Sequence, residues 1–346
     1  MKQVIHTSDI SSIEKKLYAH PFVLPKSLQN YNIQTLLARF GTYFKTAIPK
    51  AERRYIILPD GSQIAADCMF QPNKKIHPTV IVLDGFTRPN NSHFSRSICY
   101  KAYHFGFNVI LLMQRAEGDT IHLTKSLFSA YPQLDLPIAL EEFSKMGLRK
   151  MYLVGFSAGG WSTLLTLGTM GENAKKYFSG VALISSPCNL LDTWNHIEKY
   201  PLYNRYLLHS YKKTVKRRGK VDSPGTWNLS TIRKIKTKKQ FFETFFSTHT
   251  IGTPTKRVTV EEYNQLTNAT PLLPNIQVPT LIIHAHDDPV TPVTPFLHIT
   301  NQNILTLFSK HGGHGGFFTT KKLYGDLDGH WAQNRVMEFI RLLDGG

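Results

Sequence analysis

Met151-Tyr-Leu-Val-Gly155-Phe-Ser157-Ala-Gly159-Gly160-Trp161 is the stretch that decides the fold. Met151–Val154 is apolar and of strand length, and Trp161–Met170 reads as a helix. Between them stands Gly-x-Ser-x-Gly. A serine flanked this way, where a buried strand turns sharply into a helix, is lifted above the sheet edge. Glycines at 155 and 159 keep Cβ atoms out of the close strand–helix approach. The helix that follows turns free N–H groups and the positive end of its dipole toward Ser157, a setting for a developing oxyanion. The bare pentapeptide is common by chance, and its strand–turn–helix context makes it specific.

Outward from this turn the same alternation recurs. Arg54–Leu58 and Gln63–Phe70 flank Pro59-Asp60-Gly61 as a hairpin. Short β-branched and apolar runs follow at Thr79–Leu83, Asn108–Met113 and Val181–Ile184, and later at Pro279–His284 and Ile304–Phe308. Near-continuous apolar strands mean burial on both faces of a mostly parallel sheet. The spacers His93–Phe105, Leu136–Met146 and Leu327–Leu343 carry helical apolar stripes, with Ser92 as an N-cap for the first. The expected class is α/β, a mostly parallel central sheet flanked by helices. Residues 191–264 break the rhythm and are expected to form an inserted, mostly helical lid. The expected organisation is therefore an N-terminal segment, 1–50, packing on a core of 51–190 and 265–346, with the lid at 191–264.

The chain has 346 residues and a net charge of +17. Hydrophobic residues at 41% and aromatics at 12% supply a sizeable core and exclude a disordered chain. Residues 205–240 hold twelve Lys/Arg and one acid, Asp222. The charge is thus local and bears on a partner rather than on the fold. Three well-separated cysteines point to a reducing compartment rather than a disulfide framework. The first residues lack the apolar core of a signal peptide, and no apolar run approaches a membrane span, so the expected location is cytoplasmic, with peripheral membrane contact.

A serine hydroxyl needs a base. His314 lies in His311-Gly-Gly-His-Gly-Gly-Phe317, after the last expected strand, where four glycines allow the chain to fold a side chain back over the sheet edge. His311 is the competitor. The acid that orients such a base is expected after Pro279–His284, at Asp288 or Asp287, with Asp192 a more distant stand-in. Ala158 N–H supplies half of an oxyanion hole. The loop Asp84-Gly85-Phe86-Thr87 supplies the other half, through Phe86 N–H. The chain order Ser157, Asp288, His314 is that of α/β-hydrolases.

These residues resemble the YheT-like, embryogenesis-associated branch of the α/β-hydrolase superfamily, over nearly the whole chain. Asn30-Tyr-Asn-Ile-Gln-Thr35 is similar to its N-terminal segment, Leu58-Pro-Asp-Gly61 to the start of its hairpin, and Tyr203-Asn-Arg-Tyr-Leu207 to a lid helix. His284-Ala-His-Asp-Asp-Pro289 resembles its acid loop and Gly312-Gly-His-Gly-Gly-Phe317 its histidine loop, while Trp331 and Glu338-Phe339 resemble its last helix. The resemblance implies a Ser157, Asp288, His314 triad, the acid standing just before Pro289. It implies hydrolysis of short- or medium-chain acyl esters or lipids, with no metal and no organic cofactor. One departure is Asp84, where the family usually has His or Pro before glycine. A carboxylate there opposes an oxyanion unless it is paired, and Arg115 is the expected partner.

Two other readings accompany this one. A catalytically weak scaffold would bind an acidic partner or an anionic membrane through residues 205–240. An acyltransferase would pass the acyl group to another alcohol, although Thr319 stands where a His-x₄-Asp acyltransferase motif would need its acid. No nucleic-acid-binding motif accompanies the basic segment. Its aromatic residues, among them Tyr200, Tyr203, Tyr206, Trp227, Phe241, Phe242, Phe245 and Phe246, are candidates for an acyl pocket or for the lid's own core.

Overall fold

A computed structural model describes residues 7–40, 48–86, 92–126, 132–148, 150–223, 227–246 and 259–345. Eight strands form one sheet in the order β1-β2-β4-β3-β5-β6-β7-β8. They are β1 (Glu52–Ile57), β2 (Gln63–Met69), β3 (Thr79–Leu83), β4 (Asn108–Leu112), β5 (Met151–Phe156), β6 (Phe178–Ile184), β7 (Thr280–Ala285) and β8 (Ile304–Ser309). The β1–β2 and β2–β4 pairs are antiparallel and every other pair is parallel.

The alternation of side chains along each strand builds two cores. Ile81 and Leu83 of β3 point to one face, where α4 (Pro132–Lys145) brings Leu140 and Phe143, and α5 (Ala158–Met170) brings Leu164 and Leu165. Val80 and Val82 point to the other face. There α3 (His93–His104) contributes Phe94 and Ile98. The C-terminal helix, α10 (Trp331–Asp344, numbered last in the chain), contributes Val336 and Ile340. The N-terminal α1 (Thr7–Tyr18) adds Ile10, Ile13 and Leu17 to this second core, at the spacing of one helical face.

Helix ends differ from expectation for local reasons. α4 begins at Pro132 rather than Leu136, since proline suits a first turn that needs no N–H donor. The last helix begins at Trp331 rather than Leu327, because Asp328 turns its side chain to accept from the His330 N–H at 2.9 Å and closes a turn there.

Between β6 and β7 the chain inserts α6 (Leu190–Glu198), α7 (Pro201–Arg218), α8 (Lys238–Phe241) and α9 (Val260–Leu266). Residues 224–226 and 247–258 of that insertion lie outside the described residues. Tyr211, Val215, Trp227, Ile232, Phe241 and Phe245 form a small core of its own. Ahead of the sheet, α2 (Tyr31–Phe40) lies over the loop that follows β8. Among the described residues, no helix is long and apolar enough to cross a membrane.

Candidate active site

The C-terminal ends of the parallel strands share one sheet edge, where loops of open α/β sheets gather ligands. Ser157 leaves β5 at φ 51° and ψ −120°, a left-handed conformation costly for any residue with a Cβ. The sequence allows this turn because its neighbour leaves room. A Cβ at Gly159 would lie 2.4 Å from the Leu83 carbonyl oxygen, so only glycine lets α5 start against the end of β3.

His314 stands between Ser157 and Asp288. Its Nε2 is 3.0 Å from Ser157 Oγ, and its Nδ1 is 3.0 Å from Asp288 Oδ2. With Asp288 ionised, Nδ1 donates to the carboxylate and Nε2 presents its lone pair to the serine hydroxyl. Asp288 is buried and also accepts from Val290 N–H (2.8 Å), Thr291 N–H (2.9 Å) and Thr291 Oγ1 (2.9 Å). Burial pushes this carboxyl up. The facing His314 and these hydrogen bonds outweigh burial and hold it below the usual carboxylate range. Behind it His284 is fully buried, and burial pushes its imidazolium down against the pull of Asp288, so it is neutral.

The competing residues pair with each other. His311 Nδ1 lies 3.2 Å from Asp287 Oδ2, and Asp287 Oδ1 accepts from Gly313 N–H at 2.9 Å, which braces the histidine loop. Asp192 sits in the first turn of α6, its N–H capped by Asn189. The three cysteines are buried and free, and burial pushes the Cys68 and Cys99 thiols up to about 12, leaving them poor nucleophiles.

The turn 84–86 packs directly on Ser157. A Cβ at Gly85 would lie 3.1 Å from Ser157 Cβ. Thr87 lies outside the described residues. Asp84 is not paired with Arg115, which corrects the expectation. Arg115 forms a fork to Asp135 (2.7 and 2.8 Å) and reaches Asp60 at 2.6 Å, tying α4 to the β1–β2 turn. The Asp84 carboxylate accepts from the Gly85 N–H at 2.7 Å and from the Ser92 and Ser95 hydroxyls at the start of α3. The helix dipole there favours the negative charge. From the other side, Gln114 Nε2 donates to the Asp84 carbonyl at 3.1 Å, while its Oε1 accepts from Ser162 of α5 at 2.6 Å.

Sequence reasoning missed several contacts. Gln34 of α2 is fully buried. It donates to the carbonyls of Leu28 (3.1 Å) and Phe318 (3.0 Å) and accepts from Phe318 N–H at 2.8 Å. Thr35 Oγ1 accepts from the backbone N–H of His314 itself at 3.0 Å. His196 of α6 donates to the Asp288 carbonyl at 2.7 Å. Gln34 and Thr35 lie inside the Asn30–Thr35 segment, the only sequence signal that pointed at them.

Beside the turn is an apolar cavity lined by Phe86, Trp161, Trp194, Tyr211, Phe242 and Tyr263, with Phe241 at its wall. Its volume is only 20 Å³, room for about one water. Of the insertion's other aromatics, Trp227 and Phe245 fill its own core, Tyr200 and Tyr203 pack on Tyr31 of α2, and Tyr206 is exposed. The Phe246 side chain lies outside the described residues.

No family model matches the chain. Over 333 residues it is 25% identical to the Escherichia coli protein YheT, an esterase by name, with 92% of each chain covered. The chain is similar, over nearly its whole length, to YheT-like and other α/β-hydrolase-domain proteins. A second relative, the Saccharomyces cerevisiae medium-chain fatty acid ethyl ester synthase/esterase 2, is 26% identical over 300 residues, covering 77% of the chain and 62% of the yeast protein. Among solved structures, a Pyrococcus furiosus esterase superposes with a TM-score of 0.56 at 16% identity, covering 87% of the chain and 94% of the esterase. That likeness is one of fold.

Proposed function

We propose that this α/β-hydrolase cleaves carboxylic esters through Ser157, His314 and Asp288. The chain is a carboxylic ester hydrolase. The observation that carries the triad is the pair of contacts at His314, each at 3.0 Å, to the serine hydroxyl on one side and the carboxylate on the other. His314 Nε2 takes the hydroxyl proton as Oγ attacks the ester carbonyl. Ala158 N–H and Phe86 N–H hold the oxyanion. The imidazolium, stabilised by Asp288, gives its proton to the departing alcohol, leaving an acyl-enzyme. Water repeats the sequence, freeing the acid and restoring Ser157.

The substrate class is a short- or medium-chain acyl ester, or a lipid ester. The apolar, aromatic lining of the cavity beside Phe86 supports this, because an acyl chain is the kind of group such walls would take. The inserted helices at 191–264 act as the lid that carries part of this lining. The N-terminal segment, 1–50, completes the core at 51–190 and 265–346 by bracing the histidine loop. Contact with an anionic membrane through the basic residues 205–240 belongs to the same reading, since lipid esters are presented at a surface, and the site of action is the cytoplasmic side. The reading as a catalytically weak scaffold loses its motive, because the Asp84 carboxylate is tied back to α3. Transfer of the acyl group to an alcohol has one support, the ethyl ester synthase/esterase name of the yeast relative.

A p-nitrophenyl ester series from acetate to dodecanoate tests the proposal. The wild type should turn over the short and medium members. Ser157→Ala should lose on the order of 10⁴-fold or more in kcat, and Phe242→Ala should shift the preference toward longer chains. Unchanged turnover in Ser157→Ala refutes the triad. Added ethanol should yield the ethyl ester if acyl transfer competes, and free acid alone excludes that reading.

A further inference from the structure

α7 has no acidic residue, and its two sides differ. Tyr203, Ser210, Tyr211, Thr214, Val215 and Arg218 are buried. Leu202, Arg205, Tyr206, His209, Lys213, Lys216 and Arg217 are exposed and recur at spacings of three and four, so they form one stripe. The stripe is graded, with apolar and aromatic side chains at its start and cations at its end. Nine of the twelve Lys/Arg in 205–240 are exposed, the others being Lys212, Arg218 and Lys238.

α2 lies beside the apolar end of this stripe. Tyr203 donates its hydroxyl to Asn32 Oδ1 at 2.8 Å, the Tyr31 ring meets the Tyr200 ring edge-on at 5.5 Å, and the Arg39 guanidinium stands 5.8 Å over the Tyr206 ring. The outer stripe of α2 is Ile33, Leu36 and Phe40, all exposed. Phe40 at 66% and Leu202 at 67% hold most of their area in water, an unfavourable position for such side chains without a partner. On its inner side α2 meets the histidine loop, where a Cβ at Gly313 would lie 2.6 Å from the Tyr31 carbonyl oxygen. The apolar ridge therefore borders the mouth of the site.

We infer that the α2–α7 face docks on an anionic lipid bilayer, with Leu36, Phe40 and Leu202 entering the acyl boundary and Lys213, Lys216 and Lys220 meeting lipid phosphates. An apolar ridge joined to a cationic belt is the complement of that interface. A nucleic acid would use the cations alone and leave the ridge in water. Docking this way turns the histidine loop toward the membrane, so a lipid ester reaches Ser157 without crossing bulk water. The inference deepens the proposed hydrolase reading, but it is read as binding rather than turnover, so either can fail without the other.

The test is sedimentation of the full chain with vesicles of phosphatidylcholine alone or with one part in four phosphatidylglycerol, at low and high salt. The wild type should sediment with the anionic vesicles, and more weakly as salt rises. Replacing Lys213, Lys216 and Lys220 together by Gln should weaken partitioning about 100-fold. Phe40→Ser with Leu202→Ser should weaken it about tenfold or more, at low and high salt alike. Both variants should hydrolyse p-nitrophenyl acetate as the wild type does, which establishes that they fold. Sedimentation that ignores phosphatidylglycerol, or that both variants retain, overturns the inference. So does binding of duplex DNA through the three lysines in the absence of vesicle binding, which would assign the face to a nucleic acid.

Discussion

Replacing Gln34 by Ala removes a side chain that touches neither substrate nor the reacting atoms, yet it should depress both stability and turnover. The amide is fully buried and makes three hydrogen bonds, two to carbonyls and one from the Phe318 N–H. Each is worth about 1 kcal/mol net. With a small cavity added, the loss comes to about 3–5 kcal/mol. At about 2 cal/mol/K of unfolding entropy per residue, this chain should lose roughly 4–7 °C in Tm. The catalytic effect follows from position. Phe318 anchors the far end of the loop that carries His314, and a shift of about 1 Å in a catalytic group costs on the order of 10²-fold. The expected result on p-nitrophenyl butyrate is a kcat reduced 10- to 100-fold with KM little changed. Thr35→Val, which strips the acceptor from the His314 N–H, should lower kcat with a smaller loss of Tm. Gln29→Ala is the control, because its hydrogen bond to Leu24 is exposed, and it should stay within about 0.5 kcal/mol of wild type. Wild-type Tm and kcat in Gln34→Ala would refute the reasoning, since no buried amide would then be holding the loop.

Other outcomes follow from the same geometry. Asp84→Ala frees the 84–86 turn from the start of α3, and Gln114→Ala frees it from α5. Each should lower kcat about tenfold while fluorophosphonate still labels Ser157, and wild-type kcat in both would detach this turn from the oxyanion hole. Asp326 is pushed up to about 6 by burial, against the opposing pull of Arg335. Its contribution to stability is full below its unfolded pKa, near 4, and is lost as pH rises through about 6. Between pH 4 and pH 7 the Tm of Asp326→Asn should therefore gain on that of the wild type by a few degrees, and a gap independent of pH would contradict this.

The sheet was legible because both its faces are buried. Thr79–Leu83 reads as five apolar or β-branched residues and forms β3 with those same ends. Gly155–Gly159 was legible because a strand and a helix flank it, and His314 because glycines surround it after the last strand. Side-chain direction was not legible. Asp84 and Arg115 are both charged and both end core strands, but Arg115 lies over the β1–β2 turn while Asp84 faces hydroxyls at a helix start eight residues on. The role of α2 was hidden for a different reason. Its contacts with Phe318 span 284 residues, and no local period marks a glutamine as the brace of a distant loop.

The most direct measurement for the account is intact-mass analysis after fluorophosphonate treatment, followed by peptide mapping. The account predicts a single adduct, located on Ser157, that forms slowly in His314→Ala and is absent from Ser157→Ala. An adduct on another residue, or full labelling that survives Ser157→Ala, would contradict it.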